Sequence, residues 1–217
     1  MAIQRLLAAA QTRLRKSFPS GLKYWWKLQT DYADSVGGKN GTPSGSLSFV
    51  THLGRKALRL VPNGGWVTIP NLTFGNQPWT LSLWYAPVDM SVYHHLLSSE
   101  DHATLLFKIA RSDDPNAGKS YVYAASALPA GSKFSSIVVP SGVWTLITYV
   151  YDGSTLKFYF NNVLRGSSPV TMNAPARNFR IGYGNAGEYS KGYQSDVRIF
   201  DRALTVQEIE QIMNTVQ

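Results

Sequence analysis

The side chains best able to do chemistry are three clustered histidines and a handful of carboxylates. His94 and His95 stand together in the strand-like run YHHLL, and His102 follows in the next loop. Imidazoles in such numbers serve as metal ligands or as acid–base groups near neutral pH. Adjacent side chains on an extended chain point to opposite faces, however, and the run holds no acid at an alternating position. On this reading the histidines do not form a site. Glycoside hydrolysis needs two carboxylates about 5 to 10 Å apart, flanking the sugar bond. No Glu-x-Asp or Glu-x-x-x-Glu pattern falls in any predicted strand, while Glu100-Asp101 and Asp113-Asp114 are adjacent pairs beside turn residues. These are read as solvated loop acids. Gly-x-Ser-x-Gly does not occur, so a nucleophile-elbow serine is not expected. Without cysteine there are no thiolate metal sites and no disulfides. The expectation is a protein that is not an enzyme.

A second kind of chemistry is concentrated at the N-terminus. MAIQRLLAAAQTRLRKSF contains no acid, and Ile3, Leu6, Leu7, Ala10, Leu14 and Phe18 recur at helical spacing. The net charge of +8 is mostly located there: residues 1–30 carry six basic residues and no acid, leaving residues 31–217 at +2. A phosphate-binding face must be continuous and basic, so the body is not expected to bind nucleic acid. A secretory signal fits poorly, because Arg13, Arg15 and Lys16 follow the short run LLAAA. Residues 1–20 are read as a basic amphipathic helical arm, and residues 21–217 as one domain. Arg5, Leu6, Leu7, Arg13, Leu14, Arg15 and Lys16 are the expected anchoring residues. Docking on a partner is favoured over docking on the arm's own domain, with an anionic membrane surface as a minor alternative.

The elements that must position everything else are short strands. Aromatic content of 12% against 16% charged residues suits a β-sandwich. After Pro19-Ser20-Gly21 the pattern changes to period two, in segments such as WTLSLWYA, VWTLITYVY and TLKFYFN, separated by turn signals. Asp152-Gly153 is read as a two-residue hairpin turn. Leu156, Phe158 and Phe160 are read as the buried face of a strand whose other face looks outward, and the strand with Leu146, Ile147, Tyr149 and Val150 as central. Thr205 and Glu208 form a capping box for a short closing helix bearing Ile209, Ile212 and Met213. No apolar run approaches the eighteen or so residues that span a bilayer, so a soluble protein without a transmembrane segment is expected.

Four segments in order resemble the laminin G-like, concanavalin A-like jelly rolls: LKYWWKLQTDYADSVGGKNGTPSG, then GRKALRLVPNGGWVTIPN with PWTLSLWYAP, then GVWTLITYVYDGSTLKFYFNN, and finally FRIGYGNAGEYSKGYQSDVRIFDRALTVQEI. The resemblance is read as covering roughly residues 22–213, and it excludes the arm. The resemblance implies an all-β antiparallel sandwich. Where the family usually has Asn-Gly this chain has Asn161-Asn162, and where it commonly has two acids before Val-Arg-Ile this chain has Ser195-Asp196. The resemblance also implies a rim calcium ion, for which Asp34 and Asp196 remain. Calcium takes six to eight oxygen ligands, so loss of an acid weakens that reading. The alternative is an Asx-type turn at Asp34 and an arginine pair at Asp196.

Two functions are expected from this combination. The first is a structural or adhesive virion component, such as a phage capsid decoration, head fibre or tail-associated protein. Its arm would grip other virion or assembly proteins, in many copies or as a homo-oligomer. The second is a carbohydrate-binding lectin-like module at an extracellular or cell-surface location. There Trp66, Tyr93 or Tyr123 would stack on a cell-surface glycan.

Overall fold

The structure is a computed structural model and describes residues 18–124, 133–185 and 187–215. Two antiparallel sheets form a sandwich. The eight-stranded sheet runs in the order β13 (Val163–Pro169), β12 (Thr155–Phe160), β11 (Thr145–Tyr151), β6 (Trp79–Pro87), β15 (Gly192–Phe200), β4 (Arg55–Leu60) and β3 (Ser48–His52), with β1 (Leu22–Trp26) also pairing β15. The seven-stranded sheet runs β10 (Lys133–Val138), β9 (Lys119–Tyr123), β8 (Leu106–Ile109), β7 (His94–Ser99), β14 (Ala174–Ile181), β5 (Gly65–Phe74) and β2 (Thr42–Gly45). One short helix, α1 (Val206–Met213), closes the described chain.

The central strands of the eight-stranded sheet, β11, β6 and β15, are buried on both faces, which explains their apolar runs. In β11, Ile147, Tyr149 and Tyr151 enter the core between the sheets, while Leu146 and Val150 join a second cluster outside it. That cluster includes Trp84, Tyr159, Phe200 and, from α1, Ile209 and Ile212. Fully burying an aliphatic side chain of this size stabilises by about 1.5–3 kcal/mol, so two isoleucines suffice to hold a two-turn helix. The capping box is formed: Glu208 N donates to Thr205 Oγ1, and Thr205 N donates to the Glu208 carboxylate. Buried polar side chains pair here, as Ser82 does with Thr148 at 2.9 Å and Ser120 with the Tyr149 hydroxyl at 2.5 Å, while Thr145 Oγ1 and Ser195 Oγ are buried without a partner.

Two local expectations are corrected. Only Gly153 of the Asp152-Gly153 pair has positive φ (101°), and the connection is stapled instead by Asp152 Oδ1, which accepts from the amides of Ser154 and Thr155. The outward face of β12 is not simply solvent-facing, because Tyr159 lies under the second cluster. The Asn161-Asn162 turn holds both residues in the left-handed region, at φ 47° and 62°. Asparagine tolerates that region where most residues do not.

Candidate functional site

Register decides which side chains of the seven-stranded sheet look outward. Phe107, Ile109 and Val122 enter the core, so their neighbours Leu106, Lys108, Tyr121 and Tyr123 face away from it. Directly paired residues share a face. Phe134 pairs Tyr121, Tyr121 pairs Lys108, Lys108 pairs His95, Leu106 pairs Ser98, Ser98 pairs Arg180, and Arg180 pairs Thr68. Trp66 lies two residues before Thr68 and donates its indole N–H to the threonine hydroxyl at 3.2 Å. The outward face is thus a band crossing the sheet, aromatic at both ends and charged in the middle.

At one end Tyr93, Leu106, Tyr121, Tyr123, His102, Lys108 and Glu188 line a depression of about 270 Å³. Tyr121 stacks on Phe134 with centroids 4.9 Å apart. The Lys108 ammonium sits 4.2 Å from the centre of the Tyr93 ring, and the Arg111 guanidinium lies 5.0 Å from the same ring. Tyr93 donates its hydroxyl proton to Asp114 at 2.8 Å; burial, and then this hydrogen bond, push the phenol up to about 12. At the other end Trp66 stacks on Tyr183 at 4.7 Å, Tyr189 lies 4.6 Å from Tyr183, and Arg180 packs over Trp66 at 5.2 Å.

Between the two ends the β14–β15 loop delivers Glu188. Its Oε2 lies 2.7 Å from His95 Nε2, 3.0 Å from Lys108 Nζ and 3.4 Å from His102 Nε2. Burial pushes the His95 imidazole down to about 4, more than the carboxylate beside it can offset. His95 is therefore neutral at pH 7, and the charge opposite Glu188 is that of Lys108. A carboxylate only accepts, so the His95 proton sits on Nε2, and Nδ1 accepts from Ser98 Oγ at 2.8 Å. Burial alone would raise Glu188, but the His95 hydrogen bond and the Lys108 charge together hold it down, at about 2.

The two neighbouring histidines diverge: His94 turns inward, its Nδ1 hydrogen-bonded to the Tyr85 hydroxyl at 2.8 Å. The expectation that His95 and His102 lack a companion acid is overturned, since Glu188 arrives from a loop 93 residues beyond His95. Loop acids read as solvated have partners as well. Glu100 pairs with Arg180 at 3.2 Å, Asp101 accepts from Ser99, Thr104 and Arg177, and Asp113 pairs with Arg111.

Asp34 and Asp196 flank one residue, Trp25. Asp34 Oδ1 accepts from Trp25 N at 2.9 Å and Asp196 Oδ1 from the Trp25 indole at 3.0 Å. Asp34 is further filled by the amides of Val36, Gly37 and Lys39. Asp196, fully buried, pairs with Arg55 at 3.0 Å and Arg198 at 3.2 Å. This donor set does not fit calcium: one carboxylate is occupied by backbone N–H groups and the other faces two guanidinium groups. The anchoring residues Arg5, Leu6, Leu7, Arg13, Leu14, Arg15 and Lys16 lie outside the described residues, as does the arm helix. Immediately after them, Phe18 stacks on Trp25 and Phe200.

Comparison with known proteins places this geometry in a family. The concanavalin A-like lectin/glucanases superfamily matches residues 62–210, more than half of the chain. The chain belongs to that superfamily. No curated protein matches it in sequence. Among solved structures it is similar to domain 4 of AbnA, a GH43 extracellular arabinanase from Geobacillus stearothermophilus, in complex with arabinotriose. That match has a TM-score of 0.72 and 19% identity, and covers 89% of this chain and 98% of that one. It is also similar to the binding domain of Paraclostridial Mosquitocidal Protein 1, with a TM-score of 0.67, 16% identity, and coverage of 89% and 52%. A third is the binding domain of Botulinum neurotoxin DC in complex with rat synaptotagmin II, with a TM-score of 0.67, 12% identity, and coverage of 91% and 52%. The chain spans about half the length of the two toxin domains. At these identities the likeness is one of fold.

Proposed function

We propose that the protein is a non-catalytic carbohydrate-binding module, holding an oligosaccharide across the outward face of the seven-stranded sheet. Sugar rings present apolar C–H faces and a rim of hydroxyls, so they need aromatic platforms with polar groups between them. The single observation that carries the reading is the band from Tyr93, Tyr121 and Tyr123 to Trp66 and Tyr183, with Lys108, Glu188 and Arg180 in its middle. The arabinotriose complex of the similar arabinanase domain makes arabino-oligosaccharides the first ligands to try.

Support for a binding role over catalysis comes from Glu188. A glycosidase acid must hold its proton near neutral pH, whereas Lys108 and His95 keep this carboxylate ionised. A binding module of this kind belongs outside the cell or at its surface, and that location is part of the proposal. The virion reading depends on the arm and is a separate question. Deleting residues 1–17 tests it through incorporation into an assembly, while the sugar face should be indifferent to that deletion. The test of the proposal is calorimetric titration of the full chain with a panel of oligosaccharides, with chemical-shift mapping of the face that responds.

A further inference from the structure

We infer that His95, His102 and Glu188 form a binding site for a divalent transition-metal ion, with zinc as the occupant their chemistry suits best. Two imidazole nitrogens and a carboxylate oxygen are a donor set that zinc accepts, and here one such atom from each residue lies within 4.8 Å of the others. They come from β7, the β7–β8 loop and the β14–β15 loop, so the cluster is a product of the fold and not of one turn.

Three further features make it more than a coincidence of neighbours. His102 Nε2 is buried and lies 3.4 Å from Glu188 Oε2 without the geometry of a hydrogen bond, a costly state for a ring nitrogen that a metal bond would relieve. His102 is held with φ at 53°, a left-handed backbone that tertiary contacts must maintain. His95 has the supporting partner that metal-binding imidazoles usually have: Ser98 Oγ lies 2.8 Å from its Nδ1. On metal binding the His95 proton moves from Nε2 to Nδ1 and is donated to Ser98 Oγ, so the ring stays neutral.

The arrangement now seen is closed by Lys108, whose ammonium lies 3.0 Å from Glu188 Oε2. With ligand bonds of about 2.0–2.2 Å, tetrahedral donors stand about 3.3 Å apart. His95 and Glu188, now at 2.7 Å, would have to part by about half an ångström. The ammonium already has another seat over the Tyr93 ring at 4.2 Å. Lys108 is therefore the competitor of the metal, and its removal should strengthen binding.

The test is titration of the untagged full chain with Zn²⁺ by calorimetry and with Co²⁺ by visible absorption, in the absence of sugar. A single tight site is expected, with a Co²⁺ spectrum of tetrahedral type. His102→Ala and Glu188→Gln should each weaken Zn²⁺ at least tenfold, and Lys108→Met should tighten it, with folding of each checked by circular dichroism. No Zn²⁺ binding by the wild-type chain overturns the inference, as does binding that His102→Ala leaves unchanged. Because no sugar is present, failure here is distinguishable from failure of the carbohydrate reading, which shares the depression but needs no metal.

Discussion

Gly184 lies directly against the ring of His95: a Cβ built on this glycine would stand 2.1 Å from His95 Cε1. The loop that delivers Glu188 can therefore approach β7 only because residue 184 has no side chain. Gly184→Ala should push the imidazole off Glu188 and destabilise the fold by about 1–3 kcal/mol, as overpacking generally does. Urea denaturation measures the loss, and the His95 imidazole resonances report the displacement. Unchanged stability with unchanged resonances would show that the loop is not seated as described.

Asp196 is the anion between two arginines. Burial lowers Arg55 and takes Arg198 down to about 10, while Asp196 opposes both shifts. Removing one partner of a buried charge cluster typically costs about 3–5 kcal/mol, and Asp196→Ala should lose that much. Millimolar Ca²⁺ or a chelator should leave the melting temperature of the wild-type protein unchanged. A Ca²⁺-dependent rise would restore the rim ion at Asp34 and Asp196.

The closing helix should respond to acid. Hydrogen bonds from Arg202 hold Glu208 down, against a smaller opposing effect of burial, at about 2 instead of the ordinary 4.5. A carboxyl depressed in the folded state contributes stability above its unfolded pKa and loses it as pH falls through the folded one. The contribution of Glu208 should thus fade between about pH 4.5 and pH 2. Thr205→Ala, which removes the other half of the box, should cost about 1 kcal/mol at neutral pH. Thermal melts of the wild type, Thr205→Ala and Glu208→Gln across that range check both, and an advantage of the wild type over Glu208→Gln that does not shrink as pH falls would contradict the Glu208 assignment.

Much of the sandwich was legible because its signals are local. Period-two strands, the Asn161-Asn162 turn and the Thr205–Glu208 capping box are each written within a few residues. The central position of β11 followed from apolar residues on both of its faces. The candidate face was only half legible. Tyr93 and Tyr123 meet in one depression and Trp66 lies on the same face, yet no spacing rule joins them, because strand order and register do. Glu188 had no signal at all: an acid in a loop says nothing about a histidine 93 residues earlier. Asp196 was visible as an acid, but its left-handed backbone (φ 55°), at a break in the β15–β6 register, could be seen only in three dimensions.

The central claim is that the outward face of the seven-stranded sheet holds a sugar chain. It is tested most directly by calorimetric titration of the full chain and of its Trp66→Ala and Tyr123→Ala variants with the same oligosaccharide panel. Binding by the wild type, weakened about tenfold or more (~1.4 kcal/mol) in each variant with the melting temperature preserved, is the predicted result. No binding across the panel, or binding that both variants leave intact, would contradict it.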